Sequence, residues 1–148
     1  MKLATRLNPV LDYTKNLMRE LDLVADRLPQ RMTVTGLHWG GGTPTTIPSD
    51  ELMRVMDRLN ARFNFCPTTE IAFELDPRTF ETRMAQILAN IGVTRVSLGV
   101  QEFDARVQEA VNRIQPFEVV KSAVEALRKA GVSEINFVIE FYQPSRHI

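Results

Sequence analysis

Cysteine is nearly absent from this chain: Cys66 is the only one among 148 residues. One thiol makes no internal disulfide and cannot by itself supply a thiolate cluster for zinc or iron–sulfur. Within "FNFCPTT", Cys66 reads as a small buried or half-buried filler. No apolar run approaches the roughly 18 residues of a membrane span, and no signal-peptide pattern follows Met1. The chain is therefore expected in the cytoplasm and off the membrane. Neither sign of charge is in excess, because 18 Lys and Arg balance 18 Asp and Glu. That balance gives no reason to expect nucleic acid or an anionic surface as a partner. No linker-like or low-complexity stretch interrupts the sequence, so residues 1–148 read as one domain. An apolar fraction of 44% and a charged fraction of 24% are those of a globular protein long enough to bury a core.

What is present is an alternation of helical and extended patterns. "YTKNLMRELDLVADRL" puts Leu17, Leu21, Val24 and Leu28 on one helical face, with Pro29 expected to close it. "SDELMRVMDRLNARF" does the same with Leu52, Val55, Met56, Leu59 and Phe63, and Ser49 is the expected N-cap. A third helix is expected after Asp76-Pro77, carrying Phe80, Met84, Ile87, Leu88 and Ile91. Asp104 is placed to cap a short helix through Val107 and Val111, and a longer one starts near Pro116. Six Met and eight Phe spread over these faces read as core filling. Between the helices lie "TVTGLHW", "EIAFEL", "RVSLGV" and "EINFVI", each rich in β-formers. Gly92 and Gly131 follow two of the helices and fit the left-handed position that ends one. Alternating βα units of this kind predict an α/β fold with a parallel sheet.

Side-chain alternation along the strands divides that sheet into two faces. Ile71, Phe73 and Leu75 oppose Glu70, Ala72, Glu74 and Asp76; Val96, Leu98 and Val100 oppose Arg95, Ser97, Gly99 and Gln101. Ile135, Phe137 and Ile139 oppose Glu134, Asn136 and Glu140, while Leu37 and Trp39 oppose Gly36, His38 and Gly40. An open sheet covered by helices on both faces would read as continuous apolar runs. One apolar and one polar face fits a barrel-like sheet around a wet interior. Buried polar groups need partners, and two readings follow. Cross-strand pairs such as Glu70 with Arg95 could satisfy them, or the polar face could be an internal ligand site at the strand C-termini, where βα barrels place their chemistry.

At one of those strand ends stands "LHWGGGTPT". Consecutive glycines let backbone approach a ligand closely and adopt positive φ. Neither G-x-G-x-x-G nor Gly-Lys-Ser/Thr is present, so no dinucleotide or P-loop site is supported. "LHWGGGTPT", "EIAFELDPRTF" and "RVSLGVQEFDARVQEAVNR", in this order, resemble the radical S-adenosylmethionine superfamily. More narrowly they resemble the oxygen-independent coproporphyrinogen III oxidases, over about Lys2 to Asn136. A related haem-chaperone branch would carry Asn-Pro at Asp76-Pro77, and "VQEF" with "VNR" also favours the oxidase branch.

The resemblance implies a partial (β/α) barrel of the radical S-adenosylmethionine type, here helix 1 and strands 2 to 5. It implies that Gly41, Gly42, Thr43 and Glu74 contact S-adenosylmethionine, and that Gln101 and Arg113 contact a second molecule of it. Bland readings stand beside two of these: Arg113 as a solvated helix residue, Glu74 as a partner of Arg95. His38 takes no implied role and reads as a structural imidazole. The family's small-molecule partners are S-adenosylmethionine and a porphyrinogen, and its full-length members are implied to be monomeric. Its 4Fe–4S cluster hangs from Cys-x3-Cys-x2-Cys, expected just upstream of "KLATR", and those cysteines are not in this sequence. The family also continues Asn-x-Asp-Leu-Ile-Tyr-Gly-Leu-Pro, whereas "INFVIEFYQPSRHI" has Val138 at the Asp position. Residues 138–148 therefore read as a divergent tail of the kind a frameshift produces, and the chain as an interior piece of the barrel, truncated at both ends. Such a piece leaves two unpaired sheet edges and is expected to be marginally stable. Two functional readings remain: an oxidase-family fragment that is inactive alone, or a cluster-free protein that binds S-adenosylmethionine or a tetrapyrrole or docks onto an intact relative, a haem-chaperone-like relative being the further alternative.

Overall fold

A computed structural model describes residues 7–139. Its elements are α1 (Leu7–Ala25), β1 (Thr33–Trp39), α2 (Ser49–Arg62), β2 (Asn64–Leu75), α3 (Thr82–Asn90), β3 (Arg95–Gln101), α4 (Ala105–Ala110), α5 (Phe117–Ala130) and β4 (Glu134–Ile139). The four strands form one sheet in the order β1-β2-β3-β4, and every neighbouring pair is parallel. Parallel neighbours need a long crossover, which α2, α3 and the α4–α5 pair supply. The fold class is α/β, as the alternation predicts. The divergent tail lies almost wholly outside the described residues.

One face of the sheet carries the core. Ile71, Phe73 and Leu75 of β2 and Val96, Leu98 and Val100 of β3 meet Leu52, Val55 and Met56 of α2, Leu88 of α3 and Leu127 of α5, all buried. Phe73 sits at the centre, fully buried and stacked on Trp39 with centroids 5.7 Å apart. Each large apolar side chain buried in this way contributes about 1.5–3 kcal/mol. Helix α1 is held on α2 by a polar clip: Thr14 Oγ1 donates to Glu51 Oε2 at 3.0 Å, and Arg54 Nη1 donates to Glu51 Oε1 at 2.8 Å.

Several expectations shift. Helix α1 ends at Ala25, before Pro29, so the proline does not terminate it. Pro48, not Ser49, occupies the N-cap of α2, and no side chain caps that helix. After Asp76 the chain makes a single 3-10 turn, Pro77–Thr79, capped by the Asp76 side chain; α3 begins only at Thr82, so Phe80 precedes it. Strand β2 begins at Asn64 rather than Glu70. Pro67 hides the extension, since proline argues against a ladder. Between Phe65 and Glu70 the register with β1 shifts, and Thr69 Oγ1 both accepts from the Cys66 N–H and donates to Val34 O. Phe103, Phe117 and Phe137, with Met32 and Met53, are exposed, so core filling describes only some of the Phe and Met residues. Gly92 and Gly131 do take the left-handed conformation, at φ +85° and +97°.

Candidate functional site

The polar face of the sheet opens at the strand C-termini into a cavity of about 800 Å³. Strand β1 delivers the glycine turn to it. A Cβ on Gly40 would lie 2.6 Å from His38 Nε2 and 3.1 Å from Glu74 Cδ, so a side chain there would push those two partly exposed groups aside. Gly41 and Gly42 have φ of +80° and +75°, and a Cβ on either would meet nothing within 4 Å. They are glycines for conformation, not for packing, and the space above them is open.

Strand β2 delivers Glu74, whose side chain is 44% exposed. Its carboxylate accepts from His38 Nε2 at 3.0 Å and from the Gly41 N–H at 3.3 Å. Arg95 pairs instead with Glu70, at 2.5 Å. The Glu70–Arg95 bridge is thus the cross-strand pair the sequence suggests, and the bland pairing of Glu74 with Arg95 is not formed. Two residues on, Asp76 accepts from the Arg78 backbone N–H at 3.0 Å and from Arg78 Nη2 at 2.6 Å, and Arg113 Nη2 reaches it at 3.5 Å. Burial pushes the Asp76 carboxyl up, but hydrogen bonds and charge from Arg78, with the charge of Arg113, together hold it below the ordinary carboxylate range.

Strand β3 delivers Gln101, and the turn after α4 delivers Arg113. Gln101 and Asn112 are non-glycine residues at positive φ, +69° and +53°, an unusual conformation that concentrates at functional sites. Arg113 is no solvated helix residue. It lies beyond α4, with its side chain 27% exposed, and its Nη2 donates to Gly99 O at 3.2 Å. The buried amides of Gln108 and Gln115 fix its loop: Gln108 Nε2 donates to Glu102 O at 2.7 Å and Gln115 O at 3.0 Å, and Gln108 Oε1 accepts from the Gln115 N–H at 2.8 Å.

Of the six residues singled out in the sequence, Gly42, Thr43, Glu74, Gln101 and Arg113 line this one cavity. Gly41 borders it through its bond to Glu74 and lines an adjoining apolar groove instead. Sequence reasoning missed His38, Asp76, Ser97 and Asn112 as neighbours of the site. Strand alternation already put His38 with Gly40, Asp76 with Glu74 and Ser97 with Gln101, so for those three a signal existed. Val138, on β4, also lines the cavity.

A glycine turn, a carboxylate and a guanidinium thus gather at the open end of a parallel α/β sheet. Residues 10–142 match the radical SAM superfamily, and the chain belongs to that superfamily. An uncharacterized protein of Sinorhizobium fredii, y4hJ, is 41% identical over 98% of this chain and 55% of its own length. The oxygen-independent coproporphyrinogen III oxidase of Bradyrhizobium diazoefficiens is 38% identical over 99% of this chain and 33% of its own. The solved coproporphyrinogen III oxidase (HemN) of Escherichia coli, described as a radical SAM enzyme, superimposes with a TM-score of 0.88 at 32% identity, covering 97% of this chain and 33% of that one. The chain thus spans about a third of the length of the oxidases it resembles.

Superfamily members use S-adenosylmethionine and a 4Fe–4S cluster. The residues here fit the first. Glu74 and Arg113 offer opposite charges to an α-ammonium and an α-carboxylate, with open space over Gly41 and Gly42. They do not fit the second. Cys66 stands near the start of β2, eight residues and up to roughly 26 Å along the strand from Glu74 at about 3.3 Å per residue, and no group of three metal-ligating side chains exists among the described residues. Hydrogen bonds from the Thr68 and Thr69 hydroxyls pull the half-buried Cys66 thiol down to about 7, but it remains a lone thiol at the wrong end of the sheet.

Proposed function

We propose that this chain is the S-adenosylmethionine-binding part of an oxygen-independent coproporphyrinogen III oxidase type of protein, and that these residues alone bind S-adenosylmethionine without turning it over. The observation that carries this reading is the placement of Glu74 and Arg113 on the same open cavity beside the glycine turn. Glu74 receives the ligand's ammonium; its carboxylate is already oriented by His38 and the Gly41 N–H. Arg113, which the resemblance assigns to a second S-adenosylmethionine, receives that molecule's carboxylate, trading part of its contact with Gly99 O and Asp76 for a charge-assisted bond. Thr43 and Gln101 supply further polar contacts along the wall. When bound, S-adenosylmethionine supplies the adenosyl group that the superfamily uses as its radical source. Oxidative decarboxylation of two propionates of a porphyrinogen is the reaction the resemblance implies for the whole protein. With one cysteine in 148 residues, this chain holds no three-thiolate cluster to start it.

Isothermal titration of the chain with S-adenosylmethionine tests the proposal. Micromolar affinity is expected, with no 5′-deoxyadenosine formed when a strong reductant is added. Failure to bind at millimolar ligand, or cleavage of the ligand by this chain alone, would overturn it.

A further inference from the structure

We propose that His38 is a positioning residue for the ligand clamp, and that its imidazole gives up a proton when S-adenosylmethionine binds at Glu74. The inference rests on the reading that Glu74 receives the ligand's ammonium.

Two small residues make room for the imidazole. His38 on β1 stands in register with Ala72 on β2, two residues before Glu74 and on the same face of the sheet. Ala72 presents only a methyl group there, and the ring leans along the strand to Glu74. A Cβ on Gly40 would lie 3.0 Å from His38 Cδ2 as well as close to Nε2, so the ring occupies the space a side chain would take. Nε2 then stands 3.0 Å from Glu74 Oε1, while Oε2 accepts from the Gly41 N–H at 3.3 Å. One donor on each oxygen fixes the carboxylate. A carboxylate has about four acceptor positions, so two remain for an ammonium.

What the pair offers that ammonium depends on the ring's proton. A neutral imidazole with its hydrogen on Nε2 donates to Oε1 and leaves the carboxylate charge uncompensated. A doubly protonated ring makes the same hydrogen bond, but it cancels that charge and sets a cation beside the incoming ammonium. The ligand therefore binds the neutral-imidazole form more tightly, and by reciprocity its binding drives the second proton off the ring. At most one proton leaves, so affinity falls by no more than about tenfold per pH unit on the acid side.

The neighbouring charges are already committed. Glu70, two residues before Ala72 on β2, pairs with Arg95 of β3 at 2.5 Å. Asp76, two after Glu74, is held by Arg78 and reached by Arg113, and its carboxyl lies below the ordinary carboxylate range. The glycine turn from Gly40 to Thr43 carries no ionisable side chain. From the helices, Tyr13 of α1 and the apolar Val55 and Leu59 of α2 line the groove that His38 also borders. Among these side-chain types only imidazole ordinarily changes charge between about pH 5 and 8. An α-ammonium ordinarily persists to about pH 7.7 and an α-carboxylate down to about pH 3.7, so the ligand keeps both charges through most of that window.

The test is titration calorimetry of S-adenosylmethionine into the 148-residue chain at about pH 5.5, 6.5 and 7.5, the window of imidazole titration. Buffers of differing ionisation heat count the protons exchanged. Kd is expected to rise about 3- to 10-fold from the highest pH to the lowest, with part of a proton released per ligand at the middle one. His38→Ala removes the donor; it is expected to weaken binding about 3- to 10-fold at the highest pH and to show no further loss in acid. His38→Gln restores an Nε2 donor that does not titrate. It is expected to recover much of the affinity lost in the alanine variant while the pH dependence stays absent. Cys66 and His147 are common to all three proteins, so the differences isolate His38.

A wild-type Kd that is flat with pH, binding without proton release, a glutamine variant with the wild-type pH dependence, or one no tighter than alanine would each overturn the inference and leave the binding reading standing. Absence of binding at every pH would overturn the binding reading, and this inference with it. Should a variant lose its fold by circular dichroism, the proton count in the unsubstituted chain decides alone.

Discussion

Replacing Glu74 by glutamine removes one negative charge and leaves the shape and one carbonyl acceptor in place. In the ligand-free chain the carboxylate accepts two bonds, from His38 Nε2 at 3.0 Å and from the Gly41 N–H at 3.3 Å. The glutamine carbonyl still serves one of these, and a side chain already 44% exposed finds water for the other, so the melting temperature should move little. Ligand binding should move more. A hydrogen bond to a charged group contributes about 1.5–3 kcal/mol net. Solvent screening at this exposure reduces that to about 1–2 kcal/mol, equivalent to a roughly 5- to 30-fold rise in Kd for S-adenosylmethionine. Titration calorimetry of wild type and Glu74→Gln, each with a parallel melt, reads both quantities. An unchanged Kd would refute the assignment of the ammonium to Glu74. A large fall in melting temperature with lost binding would make Glu74 a structural residue.

Val138→Asp places a carboxylate on the cavity wall opposite Gly99, where the resemblance implies an aspartate; calorimetry should show a Kd for S-adenosylmethionine about 3- to 10-fold lower, corresponding to about 0.7–1.4 kcal/mol. Gln108→Leu strips partners from the Glu102 and Gln115 carbonyls and the Gln115 N–H. Each group left buried and unpaired costs about 1–3 kcal/mol, so denaturant melts should show clear destabilisation, with binding weakened as the Arg113 loop loosens. Asp76 titrates below its unfolded value of about 3.9. Its ion pairs therefore stabilise the fold fully above about pH 4, and that contribution disappears as pH falls through the lower folded value. The melting-temperature gap between wild type and Asp76→Asn should be constant from about pH 5 to 7 and narrow on further acidification; a gap independent of pH would remove Asp76 from the acid response.

How far the sequence could be read depended on whether each feature is local. Periodicity placed β1, β3 and β4 to within a residue, because alternation along an extended chain is written in consecutive side chains. It placed the inward faces of α2, α3 and α5 for the same reason, but not all of α1, where Val24 is 51% exposed and Leu28 lies past the helix end. The start of β2 was hidden by Pro67, and the start of α3 by a 3-10 turn that shares its aspartate and proline with a helix entry. Alternation also told which residues share the polar face, but not which of them touch. Register alone does not decide that Glu74 takes His38 rather than Arg95: Arg95 lies opposite Ala72, two residues from Glu70 and two from Glu74, and its guanidinium turns to Glu70. The Gln108–Gln115 bridge was illegible because its partners are backbone groups, which no residue type announces.

Under the proposed function, binding and turnover separate along the chain for a geometric reason. The clamp takes its glycine turn from the end of β1, its carboxylate from the end of β2 and its guanidinium from the loop after β3. Those three segments are brought together by the parallel order of neighbouring strands. Electron delivery instead requires thiolates that these residues do not include. A chain with the clamp and one cysteine should therefore hold the ligand by its amino-acid end and leave its sulfonium intact. Titration and product analysis on the same sample measure those two properties separately.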